Sequence, residues 1–310
     1  SLRNLIHAVD EVEQAKVLDA SDKAMVLSAN AQAAARYSLE YETLYPNTKY
    51  TRLISFLRPA LLFKYGKGSE AVVESQKLFD TNPSDEVGSR CFKNLRQTYY
   101  QQKNWEETHK WSQSLLTRND PRMDSYKNDL LSVSEESLFL WAENTKDDQV
   151  AANLYYQLWK NPKSGRLKEK ALYNAFIRTE KTGQKMRALE LADELERSAP
   201  KFENLTEVSG VRAAMYQDAG DYERALPLLE EFLRNHTKGV AKDVVLQAHY
   251  NAGLIAEAVN KNDSALAHYK TYVKEASSPL PEASRGIQRL DGRGRSLATP
   301  AFTRWPILLK

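Results

Sequence analysis

Apolar residues return every three to four positions along most of this chain, in stretches interrupted by short polar turns. That is the period of an α-helix with one buried face. The clearest stretch is Leu205 to Gly239. Leu205, Val208, Val211 and Met215 form one stripe, and Ala225, Leu228, Leu229 and Phe232 form a second. Ala219-Gly220-Asp221 breaks the pattern between them, and glycine accepts the left-handed backbone of a helix end. Ala213, Ala214 and Ala225 are small enough to let two helix backbones approach. Residues 1–20 predict a helix with Leu2, Leu5, Ile6, Val9 and Val12 on one face. Ser21-Asp22 suits the cap of the next, which ends in a Tyr37, Tyr41, Tyr45 stripe expected to serve helix packing. Leu53, Phe56, Leu57, Ala60, Leu61 and Phe63 are more apolar than an exposed helix allows: either the helix is buried on two sides, the favoured reading, or it carries an apolar groove. No long alternation of Val, Ile or Thr marks a strand, so the expected fold is all-α.

The helix pairs repeat. A small residue near the start of each second helix falls at Ala34, Ala71, Thr108, Ala151, Ala188, Ala225 and Ala265, with spacings of 37, 37, 43, 37, 37 and 40 residues. A turn-forming cluster precedes each of the later marks. Many second helices close on a residue followed by proline: Tyr45-Pro46, Asn82-Pro83, Asp120-Pro121, Asn161-Pro162 and Ala199-Pro200. Proline cannot continue a helix and disfavours helix in the residue before it. A period of this length carried by helix pairs predicts a solenoid, because one pair cannot bury its apolar stripes without neighbours. The 43-residue interval places extra residues around Arg122 to Ser134, read as a longer loop or helix.

On these residues the chain resembles the tetratricopeptide repeat (TPR) family. The nearest match to its pattern is Ala213, Tyr216, Gly220-Asp221-Tyr222, Ala225 and Phe232. Gly253, Ala265, Tyr269 and Tyr272 fit in the last unit, and Gly183, Ala188 and Pro200 in the fifth. Pro59 and Thr108 depart from it in the first half. The resemblance covers roughly residues 15 to 276. It implies a right-handed α-solenoid of about seven helix-turn-helix repeats: N-terminal helices and a degenerate first repeat over 1–47, the superhelix over 48–276, and a basic, flexible tail over 277–310. In this family the first helices line a concave groove that holds a peptide or protein segment. By that resemblance the groove residues are Arg90, Lys93, Gln97, Tyr100, Lys170, Tyr173, Asn174, Tyr250 and Asn251. Basic, amide and tyrosine side chains together suit an acidic or carboxylate-ended peptide. A carboxylate clamp as the family builds it is incomplete here, with Lys93 and Asn94 in one unit and Lys170 and Asn174 two units on. The style of the repeats also resembles bacterial envelope proteins of the family, which favours periplasm or envelope over cytoplasm.

Charge and chemistry narrow the reading. The net charge is +3, and residues 277–310 hold six of the 44 Arg and Lys but two of the 41 Asp and Glu. The body is close to neutral, which argues against nucleic acid as partner. No run of 18 apolar residues predicts a membrane span. The single cysteine, Cys91, cannot form an internal disulfide and reads as a small buried residue. Of five histidines, His249 and His268 fall on the two helices of one unit and can approach each other. Without a third ligand they do not predict a metal site. No nucleotide-binding loop or catalytic motif is present, so no cofactor and no enzyme are expected. The function read from the sequence is a non-enzymatic scaffold or adaptor in a bacterial multiprotein assembly. The alternatives are a peptide-sensing regulator and an accessory subunit of an envelope enzyme; self-association through terminal helices stays open. For the tail two readings compete: an arm that docks on a partner or folds back, and sequence foreign to the body.

Overall fold

The structure, a computed structural model, describes residues 26–161, 165–235, 237 and 240–292. Among these every regular element is helical, and helices pack on their neighbours in sequence. They divide into two compact units. One holds the residues up to Lys146 with Gln157–Leu167; the other holds Asp147–Tyr156 with those from Lys168 onward. The predicted helix over 1–20 and the end of the tail lie outside the described residues.

The first unit opens with α1 (Ala29–Leu44), capped by Ser28, whose side chain accepts the Ala31 N–H. The next helix is broken into α2 (Thr51–Ser55) and α3 (Leu57–Lys64). Pro59 is the cause: it has no N–H for the Ser55 carbonyl, and the helix turns at Phe56 just ahead of it. Phe56, Leu57, Ala60 and Leu61 are buried as expected, whereas Leu53 is exposed. Helices α4 (Gly68–Thr81), α5 (Glu86–Gln102) and α6 (Trp105–Leu116) follow. The long interval in the repeat is taken up by a 3-10 turn, Pro121–Tyr126, and the 18-residue helix α7 (Lys127–Asn144). Aromatic rings fill the centre. Tyr126 lies 4.6 Å from Phe92 and 5.4 Å from Phe79, and Trp111 stacks on Tyr99 at 4.9 Å. The tightest packing joins α4 to α5 and α6 to α7, that is, the second helix of one repeat to the first helix of the next.

Helix α8 (Asp148–Lys160) carries the chain between the units. The second unit continues with α9 (Lys168–Lys181), α10 (Lys185–Ser198), α11 (Leu205–Asp218), α12 (Tyr222–Asn235), α13 (Lys242–Ala258) and α14 (Asn262–Glu275). Here the tightest packing is within the pairs α9–α10, α11–α12 and α13–α14. The core alternates Ala with Leu or an aromatic, as in Ala171, Leu172, Ala175, Phe176, Ala188, Leu191 and Leu195. Small residues bring the helix axes together, and the larger ones fill the grooves between them.

All seven marks are buried, with exposures of 0 or 1%. From Ala71 onward each mark is the fourth residue of its helix, and its N–H closes the first helical bond, onto the carbonyl just outside the helix. Five of the six turns before them use a left-handed residue: Gly66, Gly183 and Gly220, with Lys103 and Asn260 in the same conformation at the corresponding ends; the turn before Ala151 does not.

One expectation is corrected. Within the stretch read as a flexible tail, residues 281–290 form α15 (Pro281–Leu290), which packs on α14. Pro281 sits in its first turn, where the missing N–H costs nothing. The docking is close. The Tyr269 ring lies between Gly253 of α13 and Gly286 of α15, and a Cβ at either glycine would fall 2.6 Å from a ring carbon. Beside it, Arg289 donates three hydrogen bonds of 2.8 to 2.9 Å to the Glu257 carboxylate, which also accepts from the Tyr269 hydroxyl at 2.9 Å. Arginine in this segment therefore serves the fold as an ion pair whose two side chains are 11% and 15% exposed.

Candidate functional site

The expected groove residues fall on three helices, α5 in the first unit and α9 and α13 in the second. Helix α5 is fixed at its start by Asp85, whose carboxylate accepts the Gly88 N–H at 2.7 Å. Arg52 holds that carboxylate with two bonds, of 2.6 and 3.1 Å, and also donates to the Leu78 and Asn82 carbonyls at the end of α4. Burial opposes the charge on Asp85, but the Arg52 guanidinium and the Gly88 N–H outweigh it and hold its pKa below the usual value. Val87, Cys91, Leu95 and Thr98 then turn inward, and Arg90, Lys93, Arg96 and Gln97 outward.

On the outward side Arg90 pairs with Glu86 at 2.7 Å, one turn back on the same helix, and lies 5.9 Å from the Phe56 ring. Lys93 and Gln97 are exposed and carry no hydrogen bond or ion pair among the described residues. Tyr100 differs. It is half-buried, Trp105 meets its ring edge-on at 5.7 Å, and its hydroxyl donates to Glu136 of α7 at 2.7 Å. Burial, with that carboxylate, pushes its pKa up. Glu136 also takes Arg166 at 3.1 Å.

Helix α9 repeats the arrangement. Lys170 is exposed and Asn174 half-buried. The Tyr173 hydroxyl donates to Glu207 of α11 at 2.6 Å, and burial together with Glu207 pushes it up to about 12. Tyr100 and Tyr173 thus spend their hydroxyls on ties to the first helix of the next repeat. The sequence displays both carboxylates about one repeat after their tyrosines, but a helical stripe alone does not reveal that pairing.

Tyr250 and Asn251 on α13 are not accessible, which corrects their assignment to the groove. Tyr250 is 2% exposed and Asn251 is fully buried. Tyr250 packs 5.2 Å from Tyr272, and Asn251 accepts a hydrogen bond from Gln247 at 3.1 Å. Helix α13 is apolar nearly all round and packs against both α12 and α14, which leaves Tyr250 and Asn251 inside.

Other reactive groups do not converge. Cys91 is buried and its thiol is pushed up to about 12 by burial, so it is no nucleophile at neutral pH. His109 sits at the α6–α7 joint with Nδ1 3.0 Å from the Ser134 carbonyl oxygen and 3.3 Å from its hydroxyl. Burial lowers its pKa. His249 and His268 do meet, Nδ1 to Nδ1 at 3.1 Å, and burial lowers both, His249 to about 4. Among the described residues no three His, Cys, Asp or Glu side chains gather as a metal-ligand group, and no helix is long and apolar enough to cross a membrane. A cavity of 240 Å³ between α8, α9 and α10 is lined by Gln149, Asn153, Tyr156, Gln184 and Arg187. Its amides are already bonded to one another, Gln184 to Gln149 and Gln149 to Asn153. No family model matches the chain, and a search of curated proteins finds no match.

Proposed function

We propose that the chain is a right-handed α-solenoid of about seven TPR-like repeats that works without chemistry of its own, as a scaffold holding an acidic or carboxylate-ended segment of a partner protein. One observation carries this reading: the outward side of α5 presents Lys93 and Gln97, exposed and with no partner among the described residues, on the same face as Arg90 and Arg96. A lysine with no internal ion pair is a charge available to a ligand, and an amide beside it both donates and accepts. Tyr100 contributes its ring edge rather than its hydroxyl. In the second unit Lys170 is exposed and Asn174 half-buried on α9, while Tyr250 and Asn251 play no part. The repeat marks, all buried and from Ala71 onward at one helical position, support the solenoid reading. The place in a bacterial multiprotein assembly rests on the resemblance of the repeats.

The test is a crosslinked pull-down with tagged protein beside the Arg90→Glu, Lys93→Glu, Gln97→Ala triple variant. Helicity of the variant is checked by circular dichroism. These side chains are exposed, so the fold is expected to survive. Loss of specific partners by a helical variant supports the reading; capture of the same partners by both proteins refutes it.

A further inference from the structure

The two histidines of the last helix pair are placed as a pair of metal ligands. His249 of α13 and His268 of α14 approach with their Nδ1 atoms 3.1 Å apart and their rings 5.3 Å apart, tilted at 47°. Two imidazole nitrogens bound at 2.0–2.1 Å to one tetrahedral ion lie about 3.3 Å from each other. The observed separation meets that spacing with a shift of a few tenths of an ångström. A second observation concerns the far side of the same ring: His268 Nε2 faces the Glu230 carboxylate of α12 at 3.7 Å, and Ser264 donates to that carboxylate at 2.6 Å. At that distance the carboxylate is too far for a hydrogen bond, but its charge favours a proton on the outer nitrogen and leaves the inner lone pair for a ligand. The His268 side chain is 14% exposed and His249 is half-buried, so neither ring is fully sealed from solvent.

We propose that His249 and His268 bind a borderline divalent transition metal ion, of the class of Zn²⁺, Ni²⁺ or Cu²⁺, through their Nδ1 atoms, clamping α13 to α14. Among the described residues no third protein ligand converges on them. Water completes the coordination, and the affinity is that of a two-ligand site, with Cu²⁺ bound more tightly than Zn²⁺ or Ni²⁺. Without metal the two nitrogens share one N–H, which His249 donates to the His268 lone pair. On binding, that proton moves to His249 Nε2, so the rings stay neutral. Mg²⁺ and Ca²⁺, which take oxygen ligands, are not bound.

An ion that binds only the folded form raises the melting midpoint as its concentration passes the dissociation constant. In the full chain the expected result is a rise of several degrees with Zn²⁺, Ni²⁺ and Cu²⁺, none with Mg²⁺, and loss of the rise in His249→Gln and His268→Gln. The proposal is overturned if the wild type shows no rise, or if both variants keep it. A measurement on the wild type alone covers the case of a variant that fails to fold. Imidazole NMR signals of His249 and His268 should broaden selectively at substoichiometric Cu²⁺, whereas unchanged signals, or equal broadening at His109, refute the site.

Discussion

Glycine 286 is the residue on which the last helix depends. Its α-carbon faces the Tyr269 ring, and an alanine Cβ there would lie 2.6 Å from Cε2 and 3.0 Å from Cδ2. Tyr269 cannot retreat, because Gly253 presses on the other edge of the ring and Glu257 holds its hydroxyl. Gly286→Ala should therefore cost about 1–3 kcal/mol through overpacking, even though alanine is the better helix former. The readout is a lowered urea midpoint with loss of amide-exchange protection over 281–290. Proline 227 makes the opposite case. It is exposed and sits inside α12, where it leaves the Glu223 carbonyl without its helical donor. Pro227→Ala should stabilise by about 1–2 kcal/mol, because the helix gains a bond and nothing packed is lost. An unchanged or lower urea midpoint would show that the proline's restriction of the unfolded chain matters more.

At the scale of helices, the α6–α7 joint is built around polar side chains. His109, Ser112, Ser134 and Ser137 are all buried there. His109 is neutral in the fold because burial lowers its pKa below the ordinary 6.5. The folded protein therefore binds fewer protons than the unfolded chain in mild acid. Stability held above pH ~6.5 is lost as the pH falls below that value toward the folded pKa. Followed by circular dichroism, the midpoint should fall between pH 7 and 5 in the wild type and fall less in His109→Gln; equal slopes would refute the assignment. The helix pairs themselves are legible in the sequence. A mark such as Ala188 must be small to be buried at its phase, and a turn such as Asp218-Ala-Gly220 must end a helix. Helix α15 is not legible in the same way. Its contact needs an absent side chain at Gly286, and in a sequence that glycine reads as a breaker. The burial of Tyr250 and Asn251 escapes for a related reason: the apolar stripe of one helix does not tell how many neighbours cover it. The Tyr100–Glu136 and Tyr173–Glu207 ties link residues 36 and 34 positions apart, beyond the reach of any pattern within one helix.

For the whole molecule, the two units carry different reporters. Trp105, Trp111, Trp141 and Trp159 belong to the first, as does the buried Cys91; the histidine pair and the Tyr269 sandwich belong to the second. Gly286→Ala should thus lower a midpoint followed by circular dichroism while leaving Cys91 labelling close to wild type. If Cys91 becomes reactive at the same denaturant concentration at which the helices melt, the units unfold as one. Within each unit the fastenings reach about one repeat along the chain: Trp111 to Gln76 and Arg118 to Asp80 in the first, Ser264 to Glu230 and Lys185 to Asp218 in the second. Few residues wait for a distant stretch of chain before they find their native neighbours, and loop closures of that length are quick. On the ribosome, each helix pair would thus meet its supporting neighbour soon after leaving the exit tunnel. The last pair waits no longer than the others: Arg289 follows its partner Glu257 by 32 residues, about one repeat, so its helix completes the pair as one more unit of the same length would.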